Sequence, residues 1–310
     1  LVFTPNDEFE YLALNDTATV VVTYIMSDDE GLTSSNTTTI TITGTNDAPT
    51  ISIGTTDKVF EEFIENINKI TTSGTLSLND KDTLNTVSAS VETVAISGSS
   101  HIDGRTNDYF KSMLKLTSAN ILDNAHNDGT IIWNFDSGSD TFDYIAKDEE
   151  LILTYTIKAL DVNSGATTQD VIIKIKGTNN TPVLNAISSK TYTDTNIDDT
   201  FASYSGTLVS SDVDLTDGKI YSITNQILDA SETGFTHSKE GNYGKLYLNE
   251  ITGAYKYITT DALIEELTTN VTDEFNFNVI DDSQETNNIN TKTFAVNLIG
   301  AGIIWIEPSS

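Results

Sequence analysis

Apolar residues along this chain recur at every second position. Thr19-Val-Val-Val-Thr-Tyr-Ile25, Thr37-Thr-Thr-Ile-Thr-Ile-Thr43, Leu151-Ile-Leu-Thr-Tyr-Thr-Ile157, Val171-Ile-Ile-Lys-Ile-Lys176, Phe275-Asn-Phe-Asn-Val-Ile280 and Thr293-Phe-Ala-Val-Asn-Leu-Ile299 all read as strands with one packed and one wet face. Clusters of Asp, Asn, Ser and Gly separate them, as in Ser27-Asp-Asp-Glu-Gly31 and Asp161-Val-Asn-Ser-Gly165, and supply hairpin turns. Helical spacing is confined to Asp108 through Leu116, with Phe110, Met113 and Leu114 on one side, and to Asp261 through Leu267. Each is about two turns long, too short to hold unless docked on a sheet. The pattern predicts an all-β protein with strands at sandwich spacing.

The pattern also repeats. Phe9-Glu-Tyr-Leu-Ala13, Val22-Thr-Tyr24 and Ile40-Thr-Ile-Thr-Gly-Thr-Asn-Asp-Ala-Pro49 return as Phe142-Asp-Tyr-Ile-Ala146, Leu153-Thr-Tyr155 and Ile173-Lys-Ile-Lys-Gly-Thr-Asn-Asn-Thr-Pro182. A looser third copy holds Phe275-Asn-Phe277, Asp281-Asp282 and Val296-Asn-Leu-Ile-Gly300. Ahead of these, Ser73-Gly-Thr-Leu76 matches Ser205-Gly-Thr-Leu208, with Asp80-Lys-Asp82 and Asp212-Val-Asp214 following at similar spacing. The chain therefore reads as an array of units: residues 1–49, the C-terminal half of a first repeat; 50–182, a second; and 183–310, a divergent third. Residues 1–49 have no Ser-Gly-Thr-Leu half, and a few strands with a single apolar face are marginal alone. Trimming of that half is the expectation, with strand exchange between copies as the alternative. The opening Leu1-Val-Phe-Thr-Pro5 has neither an initiator Met nor a basic-then-apolar leader, as expected for a segment of a longer chain acting as a monomer within it.

The Gly44-Thr-Asn-Asp-Ala-Pro49 ending after an alternating strand resembles the VCBS-type repeats of large type I-secreted bacterial surface proteins, the RTX adhesins. Trp133-Asn-Phe-Asp-Ser-Gly138, Phe142-Asp-Tyr-Ile-Ala146 and Leu153-Thr-Tyr155 stand in that family's order. The resemblance implies tandem cadherin-like, immunoglobulin-like β-sandwiches in an elongated array. It further implies calcium at the junctions, an extracellular place on a bacterial cell surface and a role in cell adhesion. In two respects the sequence departs from the family: the second linker carries Asn180 where Asp47 stands in the first, and the third unit ends Gly300-Ala-Gly302 followed by Ile303-Ile-Trp-Ile306. The first departure implies weaker calcium binding at the second junction.

Charge fits that direction. The 310 residues carry 46 Asp+Glu against 16 Lys+Arg, a net charge of −30, which argues against a surface for nucleic-acid phosphates or anionic lipid. With no cysteine, disulfides and thiolate metal sites are excluded, so bound cations are the candidate staples. No stretch approaches the roughly 20 apolar residues of a membrane-spanning helix.

Calcium takes oxygen ligands from carboxylates, amides, backbone carbonyls and water. The first junction offers Asn46 and Asp47 from the linker, Asp28 and Asp29 from a preceding turn, and Glu61, Glu62, Asp80 and Asp82 from the following unit. The second offers Asn179, Asn180, Asp194, Asp212 and Asp214, with Asp161 and Asp217 also available. The Asp-x-Asp spacing in an extended segment puts both carboxylates on one side. Asp161, Asp281 and Asp282 read first as ordinary turn carboxylates. No segment matches an EF-hand loop or the Gly-rich nonapeptide of calcium-binding β-rolls.

Catalytic motifs are absent from the sequence. His101, His126 and His237 lie far apart in polar segments, and there is no phosphate-binding Gly-rich loop, dinucleotide turn or Gly-x-Ser-x-Gly elbow. Trp133 and Trp305 lie on alternating segments, and Trp133 reads as core. The Asn-x-Thr sequons at Asn15, Asn36, Asn179 and Asn270 and the Thr-x-Thr runs follow from composition and a wet sheet face. The expectation is a non-enzymatic, calcium-stiffened spacer. The alternative is a module binding a carbohydrate or protein ligand, seated in residues 98–130, where alternation breaks.

Overall fold

The computed structural model describes residues 2–65, 68–83, 85–98, 102–283 and 288–302; Leu1, His101 and the Ile303–Ile306 run with Trp305 lie outside these. Two compact units divide the chain, Leu1–Phe142 with Glu149–Gly177, and Asp143–Asp148 with Thr178–Ser310.

In the first unit the strands run β1 (Thr17–Ser27), β2 (Thr33–Thr43), β3 (Thr50–Ser52), β4 (Phe60–Ile64), β5 (Thr71–Asn79), β6 (Val87–Gly98), β7 (Leu114–Leu116), β8 (Asn120–Leu122), β9 (Asp128–Asp136), β10 (Glu150–Asp161) and β11 (Ala166–Lys176), with helix α1 (Asn107–Lys111) between β6 and β7. One sheet has the order β4-β11-β10-β6-β8 and the facing one β3-β5-β9-β7. The stretch after the linker switches sheets: β3 pairs antiparallel with β5, while β4 pairs parallel with β11. Between the sheets Leu76, Ile131, Trp133, Leu153, Tyr155, Ile157, Ile173 and Ile175 are fully buried. Phe135 meets Tyr155 edge-on across the layers, with ring centroids 6.2 Å apart. The Trp133 indole N–H donates to the Lys58 carbonyl (3.2 Å), so the largest core side chain leaves no buried donor unpaired.

The second unit has β12 (Val183–Leu184), β13 (Lys190–Thr193), β14 (Tyr204–Thr207), β15 (Ser210–Ser211), β16 (Lys219–Ile223), β17 (Ile227–Leu228), β18 (His237–Glu240), β19 (Gly244–Leu248), β20 (Ala254–Thr259), β21 (Val271–Asp281) and β22 (Ile289–Ile299), with α2 (Asp261–Glu265) after β20. Its sheets are β13-β22-β21-β16 and β14-β20-β19-β18-β17, and a short pair, β12-β15, repeats the sheet switch, with β13 again parallel to the last strand. Tyr255 packs against Phe277 (5.1 Å) and Phe294 (5.4 Å) across the layers. Both units are all-β sandwiches.

The repeated Ser-Gly-Thr-Leu motif has a packing cause. Gly74 is in register with Trp133 and Gly206 with Tyr255, and a Cβ would lie 2.5 Å from the indole and 2.4 Å from the phenol ring. The aromatic ring lies over the glycine, so no side chain fits there.

The predicted helix from Asp108 to Leu116 is corrected to α1 followed by a strand. Thr106 Oγ1 caps the Tyr109 N–H, the helix ends at Ser112, and Leu114 and Leu116 join β7 opposite Phe135 and Trp133. The ladder with β9 outweighs a helix that is too short to hold itself. The second helix keeps its start at Asp261 and ends at Glu265.

The β1–β2 hairpin forms a two-stranded sheet, in register from Thr17↔Thr43 to Ser27↔Thr33. Its face of Val20, Val22, Tyr24 and Met26 repeats that of β10, yet Tyr24 is 41% exposed where Tyr155 is 0%. The hairpin is held at its base, where Gly44 N–H donates to Asp16 O (2.8 Å) and Thr83 N–H to Tyr11 O (3.1 Å).

Candidate metal centres

In the first unit the linker folds onto a nest of carboxylates. Asn46 Nδ2 donates to Asp161 Oδ2 (2.9 Å), and the Asp47 N–H donates to Asp82 Oδ2 (3.0 Å). Asp82 N–H in turn donates to Asp80 Oδ1 (3.1 Å), the turn expected of Asp-x-Asp, and Asn85 Nδ2 donates to Asp82 Oδ2 (3.0 Å). Asp161 Oδ1 accepts from the Asn163 and Gly165 N–H groups (2.7 and 2.8 Å). Asp80, Asp82 and Asp161 are all buried, at 1%, 2% and 4% exposure. Burial is the main reason the Asp80 carboxyl is pushed up to about 6, with the charges of Asp82, Asp161 and Asp47 adding to it. Burial likewise raises Asp82, helped by Asp47 and Asp161.

The second unit builds the same scheme. Asn179 Nδ2 donates to Asp281 Oδ2 (3.2 Å), Asn180 N–H to Asp214 Oδ2 (2.7 Å) and Asp214 N–H to Asp212 Oδ1 (3.2 Å). Asp281 Oδ1 accepts from the Ser283 N–H (2.9 Å). Asp212, Asp217 and Asp281 each bring a carboxylate oxygen within 4.8 Å of the others. Burial pushes Asp214 up to about 7, with Asp217 and Asp212 contributing, and raises Asp212. Position 180 clamps through its backbone N–H, so the Asp47-to-Asn180 change keeps the hydrogen bond and loses only a carboxylate. The Asn180 amide donates to Asp143 O (3.1 Å) and, at 3.5 Å, to Asp214 Oδ1.

The residues fit a hard cation. Asn46 Oδ1, Asp80 Oδ2 and Asp82 Oδ1 in the first centre, and Asn179 Oδ1 and Asp212 Oδ2 in the second, are buried oxygens with no hydrogen-bond partner. Such groups are costly unless something satisfies them, and an all-oxygen donor set suits calcium or magnesium rather than zinc.

Several residues expected at the first junction lie elsewhere. Asp28 and Asp29 are exposed in the β1–β2 turn, where Asp28 Oδ1 accepts from the Glu30 and Leu32 N–H groups (3.1 and 2.8 Å). Glu61 pairs with Lys58 (2.9 Å), and Glu62 with Lys174 and Lys176 (3.4 and 2.8 Å). Glu62 lies opposite Lys174, nine residues along from Gly165 at the end of the Asp161–Gly165 turn, about 30 Å away at the rise of a strand. Asp194 is not with Asn179: its N–H donates to Ile299 O (2.8 Å) at the end of β22, whereas Asp281 faces the start of that strand. Asp161 and Asp281, read first as turn residues, are central to the two hydrogen-bond schemes, and Asp161 stands in the first, with Asn46, not at the second junction, where the sequence also offers it. The signal that could have found them is the repeat itself, since both turns follow the same alternating strand.

Gly165 keeps the first centre open. A Cβ there would lie 2.3 Å from Asp161 Oδ2, 2.7 Å from Asn46 Nδ2 and 2.9 Å from the Ala48 Cα. Because backbone blocks one side, Gly165→Ala is expected to break the Asn46–Asp161 hydrogen bond and to cost the unit about 1–3 kcal/mol, as forced overpacking does. Urea unfolding checks this, and an unchanged midpoint would contradict it.

His126 Nδ1 lies 2.7 Å from Asp123 on an exposed turn, and His237 lies beside Thr236 and Glu250. Among the described residues no helix is long and apolar enough to cross a membrane.

No protein-family model matches the chain, and no curated protein matches it. Among solved structures it is similar to protocadherin gamma B2 extracellular cadherin domains 3-6, at 15% identity and TM-score 0.41, covering 91% of this chain and 57% of that one. It is also similar to domains 1-5 of the same protein (14%, TM-score 0.43, 94% and 46% covered) and to human CDH23 EC21-23 (16%, TM-score 0.37, 90% and 74% covered). The chain thus spans about half the length of the first two.

Proposed function

We propose that this chain is a run of calcium-stiffened spacer modules from the extracellular part of a bacterial type I-secreted adhesin, non-catalytic and repeating as residues 1–49, 50–182 and 183–310. The observation that carries the reading is the same hydrogen-bond scheme built twice around buried, unpartnered oxygens. In each unit the linker asparagine and its neighbour are tied to the unit that follows them. Asn46, Asp47, Asp80, Asp82 and Asp161 would hold calcium in the first, and Asn179, Asp212, Asp214, Asp217 and Asp281 in the second. Bound calcium supplies the positive charge that lets these carboxylates stay ionised together, and so fixes each linker. Affinities of extracellular modules are on the order of 10⁻⁴–10⁻³ M, so such sites fill outside the cell.

Millimolar calcium is expected to raise the melting temperature and lengthen the small-angle scattering profile, and Asp82→Asn with Asp214→Asn to abolish both effects. Indifference of both to EDTA would sink the reading. A second reading, a ligand-binding module at residues 98–130, has one observation in its favour: a cavity of about 610 Å³ beside Tyr109, whose side chain is left partly exposed. Glycan-array binding that survives the double substitution would favour it.

A further inference from the structure

We propose that the second unit carries a seat for the carboxylate of an acidic sugar, between the loop after β12 and strand β14. The argument rests on a difference between two otherwise matching places. In the first unit the loop from β3 to β4 is pinned to β5 by Asp57. Its Oδ2 accepts from the Gly54 N–H (2.8 Å), the Ser77 N–H (3.0 Å) and the Ser77 hydroxyl (3.0 Å), and its Oδ1 from the Thr75 hydroxyl (2.8 Å). Burial opposes the charge, yet these donors outweigh it and hold Asp57 below the ordinary aspartate range, so the place favours an ionised carboxylate.

Thr207 and Val209 hold the positions of Thr75 and Ser77 in the second unit, since Gly206 faces Tyr255 as Gly74 faces Trp133. The loop there, Asn185 to Ser189, is shorter and contains no acid. A cavity of about 330 Å³ takes the place of Asp57, lined by Asn185, Ser188, Tyr204, Thr207, Val209 and Tyr255 among others. Among the described residues neither the Thr207 hydroxyl nor the Val209 N–H makes a hydrogen bond. Next to the Tyr204 wall, Lys190 Nζ lies 5.6 Å from that ring's centroid and 4.9 Å from that of Tyr192, with no ion-pair partner among the described residues. Lys190 also stands at the register position that Glu61 holds in the first unit, so the charge beside the seat is reversed.

An external carboxylate placed here takes the hydrogen bonds that Asp57 takes from within, with an ammonium added. Charge-assisted bonds of that kind are about twice as strong as neutral ones. The cavity is larger than a carboxylate. Its Tyr204 and Tyr255 walls suit the apolar faces of a sugar ring, and Asn185 and Ser188 supply polar groups for its hydroxyls. The net charge of −30 repels anions, but at physiological ionic strength that field is screened beyond about 8 Å, and the near donors decide. No calcium ligand enters the seat, so the proposal does not depend on the calcium reading above.

Amide NMR titration of the whole chain in EDTA, with sodium glucuronate, glucose and sodium acetate at constant ionic strength, tests this. Glucuronate is expected to shift the Val209 amide saturably, acetate to do so more weakly, and glucose at the same concentrations to leave it unmoved. Thr207→Val and, separately, Lys190→Gln are each expected to weaken glucuronate binding roughly fivefold or more, as loss of one contact to a charged group does. Thr207 is exposed, so Thr207→Val tests the seat without disturbing the core. Absence of a saturable shift overturns the seat, as does a shift that glucose reproduces or that both substitutions leave unchanged. Acetate binding as tightly as glucuronate overturns the assignment to a sugar.

Discussion

In chelator, the chain is expected to lose stability as pH rises from about 4 to about 7, and millimolar calcium is expected to remove that loss. The sign follows from where the protons sit. Burial pushes the folded Asp80 carboxyl up to about 6 and that of Asp214 up to about 7, against 3.8 for an ordinary aspartate. Between those limits the folded state holds protons that the unfolded chain has released, so raising pH favours unfolding. The whole displacement corresponds to about 3 kcal/mol for Asp80 and about 4 kcal/mol for Asp214, fully developed above pH 7. The penalty is largely desolvation, with repulsion among the neighbouring carboxylates added, and a bound divalent ion offsets both.

Below pH 4 the trend reverses. Ser231 and Lys245 hold Asp229 well below the ordinary range, and hydrogen bonds from Gly54, Thr75 and Ser77 outweigh burial to hold Asp57 low. Stability from those groups is lost as acid protonates them. The chelated chain should therefore be most stable near pH 4, and calcium should move that optimum upward. Calcium affinity should itself fall with acidity, because ligand carboxylates must lose their protons to bind. Urea unfolding across pH 3–8, with EDTA and with calcium, measures all of this. A chelated chain whose stability is flat or rising from pH 4 to pH 7 would refute the burial of these carboxyls without a counter-ion.

Asp140→Ala is expected to destabilise the first unit by about 3–5 kcal/mol, the range for removing one partner of a buried ion pair. Asp140 is 3% exposed and accepts from Arg105 Nε (2.7 Å), the Tyr109 hydroxyl (3.0 Å) and the Phe142 N–H (3.0 Å). Arg105 is the only arginine in the sequence, and its guanidinium also lies 5.7 Å from the Tyr109 ring centroid. Without Asp140, the Arg105 Nε, the Tyr109 hydroxyl and the Phe142 N–H lose this shared acceptor, while Arg105 Nη1 keeps Asp103 Oδ2 (3.0 Å) and the Ile102 carbonyl (3.4 Å). Arg105→Lys should recover only part of the wild-type stability, since an ammonium cannot reproduce the planar fork. The measurement is the first unit's melting transition, with a fall on the order of 10 °C expected for the alanine variant. A shift of less than about 2 °C would show that the network is not what holds the segment before α1.

That network also explains why alternation breaks between residues 98 and 130. Tyr155 donates from its hydroxyl to the Phe110 carbonyl (2.8 Å), and Arg105 ties the approach to α1 onto the Ser137–Phe142 turn. The irregular stretch closes one end of the core, with Phe110 fully buried beneath it.

What the sequence determined by itself was local and periodic. Alternation placed β1, β2, β10, β11, β21 and β22, because a strand's side-chain period is set by backbone geometry whatever it packs against. The repeat marked Asn46, Asp80 and Asp82 and their counterparts Asn179, Asp212 and Asp214, because Asp-x-Asp makes its own turn. Only the tertiary structure decided which turn carboxylates take part. Asp28 and Asp161 both accept two backbone N–H groups in hairpin turns. Asp28 stays in solvent, whereas Asp161 is buried because Asn46, 115 residues away, folds over it. The same local chemistry thus gives a solvated turn or part of a buried carboxylate cluster, and the difference is made by contacts between segments that no short window of sequence contains.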